Sequence, residues 1–202
     1  MSDAGLVVAV VLAGGGGRRM GGVDKAGLVV DGRTLLDRVL AAASGVAGRL
    51  VVVGPPRTVS LERAVIFVHE DPPGGGPVPA VAAALDATGG ARVVLVLAVD
   101  LPLLTTADLS RLVDRLQAAD PSVGAVAAAD PGGRPNPLLA AYRAEVLAGS
   151  DGRPGRAAKD LLPPGVEVVE LGPRATLNVN TPADLERACT WGLVADSPDG
   201  AC

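Results

Sequence analysis

The chain has 202 residues, 49% of them apolar, and a formal net charge of −4 at pH 7. That length suits one domain with a sizeable core. The acidic balance and the presence of only one Phe, one Trp and one Tyr argue against electrostatic capture of nucleic acid and against base-stacking platforms, and leave Val, Leu and Ala to build the core.

The first element in chain order is an apolar run over 6–12, read as a strand over 7–12. It is too short to span a bilayer and has no basic residue before it, so neither a membrane segment nor a secretion signal is expected. The run stops at Leu12-Ala-Gly-Gly-Gly-Gly-Arg-Arg-Met-Gly-Gly-Val-Asp-Lys25. Glycines let backbone N–H groups approach phosphates closely. Arg18, Arg19 and Lys25 add charge for a polyphosphate. The only lysines are Lys25 and Lys159 in a chain that otherwise uses Arg, which suggests that a compact point charge was wanted beside the loop. A twin-arginine export signal would place Arg18-Arg19 before the apolar run, not after it. The loop is no Walker sequence, because Val23-Asp24 follows Gly17 and Gly22 where Lys and Ser or Thr belong. No register of its glycines gives Gly-x-Gly-x-x-Gly either. A merely flexible glycine turn is the plain alternative, and it does not require Arg18, Arg19 and Lys25 together.

Further strands are expected over 50–53, 65–68, 93–98, 124–128 and 166–170. They read as continuous apolar runs, the pattern of strands buried on both faces of a mostly parallel sheet. Helices are expected over 35–43, over the Ala-rich 78–85, from a Thr106 cap through Leu116, and from Thr181-Pro182 onward. The segment 137–142 is a candidate extra strand. This alternation predicts an α/β fold: a single three-layer α/β/α Rossmann-like domain with a mostly parallel, mixed sheet. The domain is expected over 1–191, followed by a polar, flexible tail over 192–202. Cys189 and Cys202 form no motif, so a reducing cytoplasm is the expected setting.

Four further stretches carry candidate chemistry. Asp100 ends the strand over 93–98 as a lone carboxylate, a hard oxygen ligand suited to Mg²⁺; capping of the next helix is the alternative, and Thr106 is better placed for that. His69-Glu70-Asp71 ends another strand and runs into Pro72-Pro-Gly-Gly-Gly-Pro77, where glycine amides and a helix start could bind a phosphate or a base edge, or form an ordinary loop. His69, the only histidine, has no triad partners. Asn178 and Asn180, two apart in an extended segment, point to one side, although Asn180 also suits a cap. Arg134 could hold an anionic acceptor or lie solvated on the surface.

Together, Leu12-Ala-Gly-Gly15, Arg19-Met-Gly21, Asp24-Lys25, Glu70-Asp71, Gly76-Pro77, Val99-Asp100-Leu-Pro102 and Asn178-Val-Asn-Thr-Pro182 resemble the molybdenum cofactor guanylyltransferases over most of the chain. The resemblance implies a Rossmann-like nucleotidyltransferase domain that transfers GMP from GTP to the phosphate of molybdopterin. By matched motif, Leu12, Ala13, Gly14 and Gly15 would line the guanine and phosphate pocket. Arg19 and Lys25 would hold the triphosphate, Asp71 would contact the nucleoside, and Asp100 would bind Mg²⁺. Asn178 and Asn180, with Arg134, would lie toward the acceptor. Relatives often carry His-Pro where Asn136-Pro137 stands, and can carry Asn where Gly54 stands. The resemblance also implies transient contact with molybdoenzymes or cofactor-insertion proteins. The rival readings are a cytidylyltransferase on the same cofactor, a sugar-phosphate nucleotidyltransferase, and a non-catalytic nucleotide-binding module that docks onto partners. Cytidylyltransferases tend to have Ala where Gly14 stands, and glycine gives a purine more room. Retention of Lys25 and Asp100 together argues against the binding module.

Overall fold

A computed structural model describes residues 7–14, 23–71, 73–149 and 152–193. Its main sheet contains β1 (Val7–Leu12), β4 (Arg49–Val53), β5 (Val65–Val68), β6 (Val93–Ala98), β7 (Ala125–Ala129), β8 (Pro135–Arg143) and β9 (Glu167–Val169), in the order β5-β4-β1-β6-β8-β7-β9. The pairs β5–β4, β4–β1, β1–β6 and β7–β9 are parallel. Only β8 runs against its neighbours β6 and β7, so the expected mixed, mostly parallel sheet is the one observed. The segment offered as an extra strand is its longest strand, at 9 residues.

Alternation along β1 sorts the core into two layers. Val7, Ala9 and Val11 pack with α1 (Leu35–Ser44) and α3 (Thr106–Ala118), and Ala188 of α5 (Pro182–Leu193) joins the same cluster. Val8, Val10 and Leu12 face the other way, toward α2 (Pro77–Ala84), Leu147 of α4 (Ala144–Ala148) and Leu161. Helices on both faces of one sheet give the three-layer arrangement. Burial on both faces holds for β1, β4 and β6 but not for the edges. Ile66 of β5 and Val168 of β9 are exposed, because an edge strand has a neighbour on one side only.

Helix starts follow local chemistry. The cap of α3 is Thr105, not Thr106: its hydroxyl accepts from the Asp108 N–H while the Asp108 carboxylate accepts from the Thr105 N–H. Thr106 instead donates to the Ala42 carbonyl and ties α3 to α1. The same reciprocal pair joins Thr181 and Asp184 at the start of α5.

Among the described residues Tyr142 is the largest fully buried side chain; its hydroxyl donates to the Pro137 carbonyl at 2.9 Å. Burial pushes its phenol above the ordinary value of 10.0. The folded state thus favours the neutral phenol. The stability this contributes is present below the ordinary value and is lost as pH rises toward the folded-state value. In an alkaline titration, tyrosinate absorbance from this single tyrosine is expected to emerge together with loss of far-UV circular dichroism. Tyrosinate forming in a fully folded chain would contradict this.

Candidate active site

The parallel strands β1, β4, β5 and β6 present their carboxyl ends together, where ligands bind in open α/β sheets. The loop after β1 returns at Asp24, whose Oδ1 accepts from the Ala26 N–H at 3.2 Å and caps a short 3₁₀ turn over Lys25–Gly27. The other Asp24 oxygen pairs with Arg57, on the loop after β4. This turn holds Lys25 at the sheet end, and Lys25 Nζ donates to Asp100 Oδ2 at 3.0 Å and to Asn180 Oδ1 at 2.7 Å. Three sequence-predicted residues, separated by 75 and 155 positions from Lys25, thus meet at one point.

Each partner is held from behind. Asp100 lies two residues beyond the end of β6, and its backbone carbonyl accepts from the Val179 N–H at 2.9 Å, which draws the 177–180 segment over it. Val179 is buried, whereas Asn178 is exposed and Asn180 half-buried, so the two asparagine side chains lie on the side away from the core. The Asn180 N–H donates to Asp184 Oδ2 at 3.2 Å. The Thr181 hydroxyl, joined by those backbone N–H groups and by Arg187, holds the Asp184 carboxyl below the usual carboxylate range. Lys25 and Asp100 each keep 18% of their side chains exposed, so both remain reachable from solvent.

The glycine-loop residues divide. Leu12 buries its side chain in the core, and its carbonyl accepts from the Val99 N–H. The Ala13 N–H donates to the Val53 carbonyl. Gly14 is exposed at the mouth of the site. A Cβ there would meet the Val53 carbonyl oxygen at 3.8 Å and Glu70 Oε1 at 4.0 Å, which is ordinary contact. The fold itself therefore does not demand glycine at that position, and its absent side chain leaves space at the surface. Gly15 and Arg19 lie outside the described residues, as does Pro72.

Asp71 sits exposed just beyond β5. Its neighbour Glu70 accepts from the Gly74 N–H at 2.8 Å and closes the 70–74 loop. The Gly155 N–H then donates to the Gly75 carbonyl. His69 is exposed. Arg134 is not brought into the Lys25 cluster: it stands 82% exposed at the tip of the β7–β8 turn, paired with Asp130 at 3.2 Å. The turn nevertheless lies at the same end of the sheet, because β8 starts where β6 finishes. Arg57 was not singled out from sequence. A lone arginine after Pro55-Pro56 carries no pattern, and only the fold brings it to Asp24.

A lysine, an aspartate and an asparagine converging at the carboxyl ends of parallel strands fit a nucleotidyltransferase. Residues 9–163 match the model of the MobA-like NTP transferase domain, and the chain belongs to that family. It is 32% identical over 195 residues to the probable molybdenum cofactor guanylyltransferase of Mycobacterium avium, covering 92% of this chain and 96% of that one. It is 43% identical over 98 residues to the molybdenum cofactor guanylyltransferase of Acidiphilium cryptum, a match that spans 46% of this chain and 50% of that relative. Among solved structures, a nucleotidyl transferase from Methanothermobacter superposes with a TM-score of 0.73 at 25% identity, over 95% of this chain and 99% of the other.

Proposed function

We propose that this protein transfers GMP from GTP to the phosphate of molybdopterin and releases pyrophosphate. The observation that carries this reading is the convergence of Lys25, Asp100 and Asn180 at the carboxyl ends of the parallel strands. The relatives' names supply the nucleotide and the acceptor. An anionic phosphate oxygen of the acceptor attacks the α-phosphorus of GTP in line. The bond from that phosphorus to the β-phosphate oxygen breaks, and the electron pair leaves with pyrophosphate. The nucleophile is already ionised near neutral pH, so no strong general base is needed, and catalysis is positioning and charge neutralisation.

Lys25, with Arg19, offsets the charge that gathers on departing pyrophosphate. Gly14 and Gly15 let the chain approach the phosphates and base, and Asp71 contacts the nucleoside. Asn178 and Asn180 face the acceptor side, and Arg134 extends it. The donor chemistry fits Mg²⁺: Asp100 offers a carboxylate and Asn180 an amide oxygen beside it, both hard oxygen donors. Such an ion, held by Asp100 and Asn180, would supply positive charge that offsets the negative charge of the phosphates. No helix among the described residues is long and apolar enough to cross a membrane. The setting implied is cytoplasmic, with brief contacts to the proteins that take up the product.

The test is pyrophosphate release with Mg²⁺ and purified molybdopterin, GTP against CTP. Release with GTP and little with CTP is expected. Preference for CTP would keep the chemistry and overturn the base; silence with both, in folded protein, would overturn the acceptor or the enzyme reading.

A further inference from the structure

Two neighbouring residues part at the sheet end: Lys25 reaches Asp100 and Asn180, whereas Asp24 turns to Arg57. Lys25 is aimed by the backbone at 24–27, which is only a three-residue 3₁₀ turn. The Gly27 N–H donates to the Asp24 carbonyl at 3.2 Å, the Leu28 N–H to the Lys25 carbonyl at 3.1 Å, and the Ala26 N–H to Asp24 Oδ1 at 3.2 Å. A turn this short has little stability of its own, so it takes its position from what holds Asp24.

Arg57 holds Asp24 from a rigid base. Its loop leaves β4 at Gly54, whose N–H donates to the Val68 carbonyl at 2.9 Å. Pro55 and Pro56 follow with fixed φ. The loop is pinned again at Ser60, whose N–H donates at 2.6 Å to Oδ1 of the buried Asp37 on α1. Val59 and Leu61 pack against the core. Arg57 keeps only 22% of its side chain exposed, and its Nε is buried without an acceptor among the described residues. A stem so enclosed has already lost its rotamer freedom, and its Nη1 donates to Asp24 Oδ2. Gly27 leaves the approach open: a Cβ there would meet Asp24 Oδ2 at 3.4 Å and lie 4.0 Å from Arg57 Nη1.

We propose that Arg57 is a positioning residue for the transfer, fixing Asp24 and, through it, the turn that aims Lys25. The inference rests on the reading of Lys25 as the residue that offsets charge on departing pyrophosphate. Arg57 has a second effect by the same route. An unpaired Asp24 would be another carboxylate within reach of the flexible lysine beside it, in competition with Asp100. The ion pair removes that competitor.

The experiment is a double-mutant cycle on pyrophosphate release with GTP, molybdopterin and Mg²⁺: Arg57→Ala, Lys25→Met and the two together, each checked for folding by circular dichroism. Where turnover of Lys25→Met is too low to read, calorimetric affinity for GTP gives the same cycle, since Lys25 also holds the triphosphate. Arg57→Ala is expected to lower kcat/KM by about 10–100-fold, the loss that misplacing a catalytic group by about 1 Å brings. In the Lys25→Met background the same change is expected to cost less than about twofold, because the residue it acts through is gone. Equal factors in the two backgrounds, which a purely structural residue would give, or an undiminished rate in Arg57→Ala, would overturn the proposal and leave Lys25 in its role. Asp24→Asn breaks the same pair from the other side and keeps an Oδ1 acceptor for the Ala26 N–H. It decides the matter if Arg57→Ala does not fold: a comparable loss that vanishes in the Lys25→Met background is expected, and an unchanged rate overturns the proposal. Folded wild type that releases no pyrophosphate would overturn the transfer reading, and this proposal with it, before any variant is compared.

Discussion

Asp100→Ala is expected to lower the turnover number by about 10²–10³-fold, the loss typical of removing one preorganised electrostatic partner of a transition state. The fold should survive it. The Asp100–Lys25 pair lies at the sheet end and outside both core clusters, so its loss leaves the core packing intact. Lys25 keeps its second partner, since Asn180 Oδ1 still accepts from Nζ at 2.7 Å. The backbone carbonyl at position 100 still accepts from the Val179 N–H, so the asparagine segment stays in place. Asp100→Asn preserves the shape and removes the charge, and should fall nearly as far if charge is what matters. Rates of pyrophosphate release read against thermal unfolding by circular dichroism separate these effects. Near-normal turnover in Asp100→Ala would remove the residue from the mechanism.

Tyr142→Ala is expected to destabilise the fold by about 3–5 kcal/mol, the cost of truncating a large buried ring. That is a large share of the roughly 5–15 kcal/mol that stabilises a domain. Tyr142 sits in β8 between Val94 of β6 and Ala125 of β7. Its surroundings are Val, Leu and Ala, short side chains that reach poorly into a vacated space, so the cavity persists. Tyr142→Phe keeps the volume and leaves the Pro137 carbonyl without its donor, at about 1–2 kcal/mol. Urea unfolding followed by circular dichroism measures both. Equal stabilities for the two variants would mean that the ring's volume contributes nothing, contrary to its complete burial.

The sheet was legible because its strands are apolar runs of four to six residues with little to confuse them with. The runs at 7–12, 65–68 and 93–98 coincide with β1, β5 and β6. What sequence could not show was neighbourhood. The edge position of β5 follows from strand order, and nothing in Val65-Ile-Phe-Val68 distinguishes an edge from a centre. The small hairpin of β2 (Val29–Val30) and β3 (Arg33–Thr34) went unseen, because two-residue strands carry no periodicity and Asp31-Gly32 alone marks the turn. The α3 start was misread by one residue, because adjacent threonines offer equal hydroxyls and only Asp108, three residues beyond Thr105, decides between them. Of the site, Lys25, Asp100 and Asn180 were each visible by residue type and motif. Their meeting is a product of topology. Glu70 was visible as part of an acidic strand end, but its bond to the Gly74 N–H exists only in three dimensions.

The single reversed strand divides the sheet by direction. One side, β5-β4-β1-β6, is wholly parallel and carries the glycine loop, Lys25, Glu70 and Asp100 at its ends. Beyond it, β8, with Asn136 near its start, descends from a turn that carries Arg134, and a register shift at Ala127/Ala128 sits just inside that turn. Hairpin tips accept changes of length that buried parallel strands do not. A lineage of such proteins can therefore lengthen or recharge the 130–134 turn without disturbing the four strands beside it. If the proposed function holds, what is joined to the nucleotide could change through that turn while the parallel half keeps its shape.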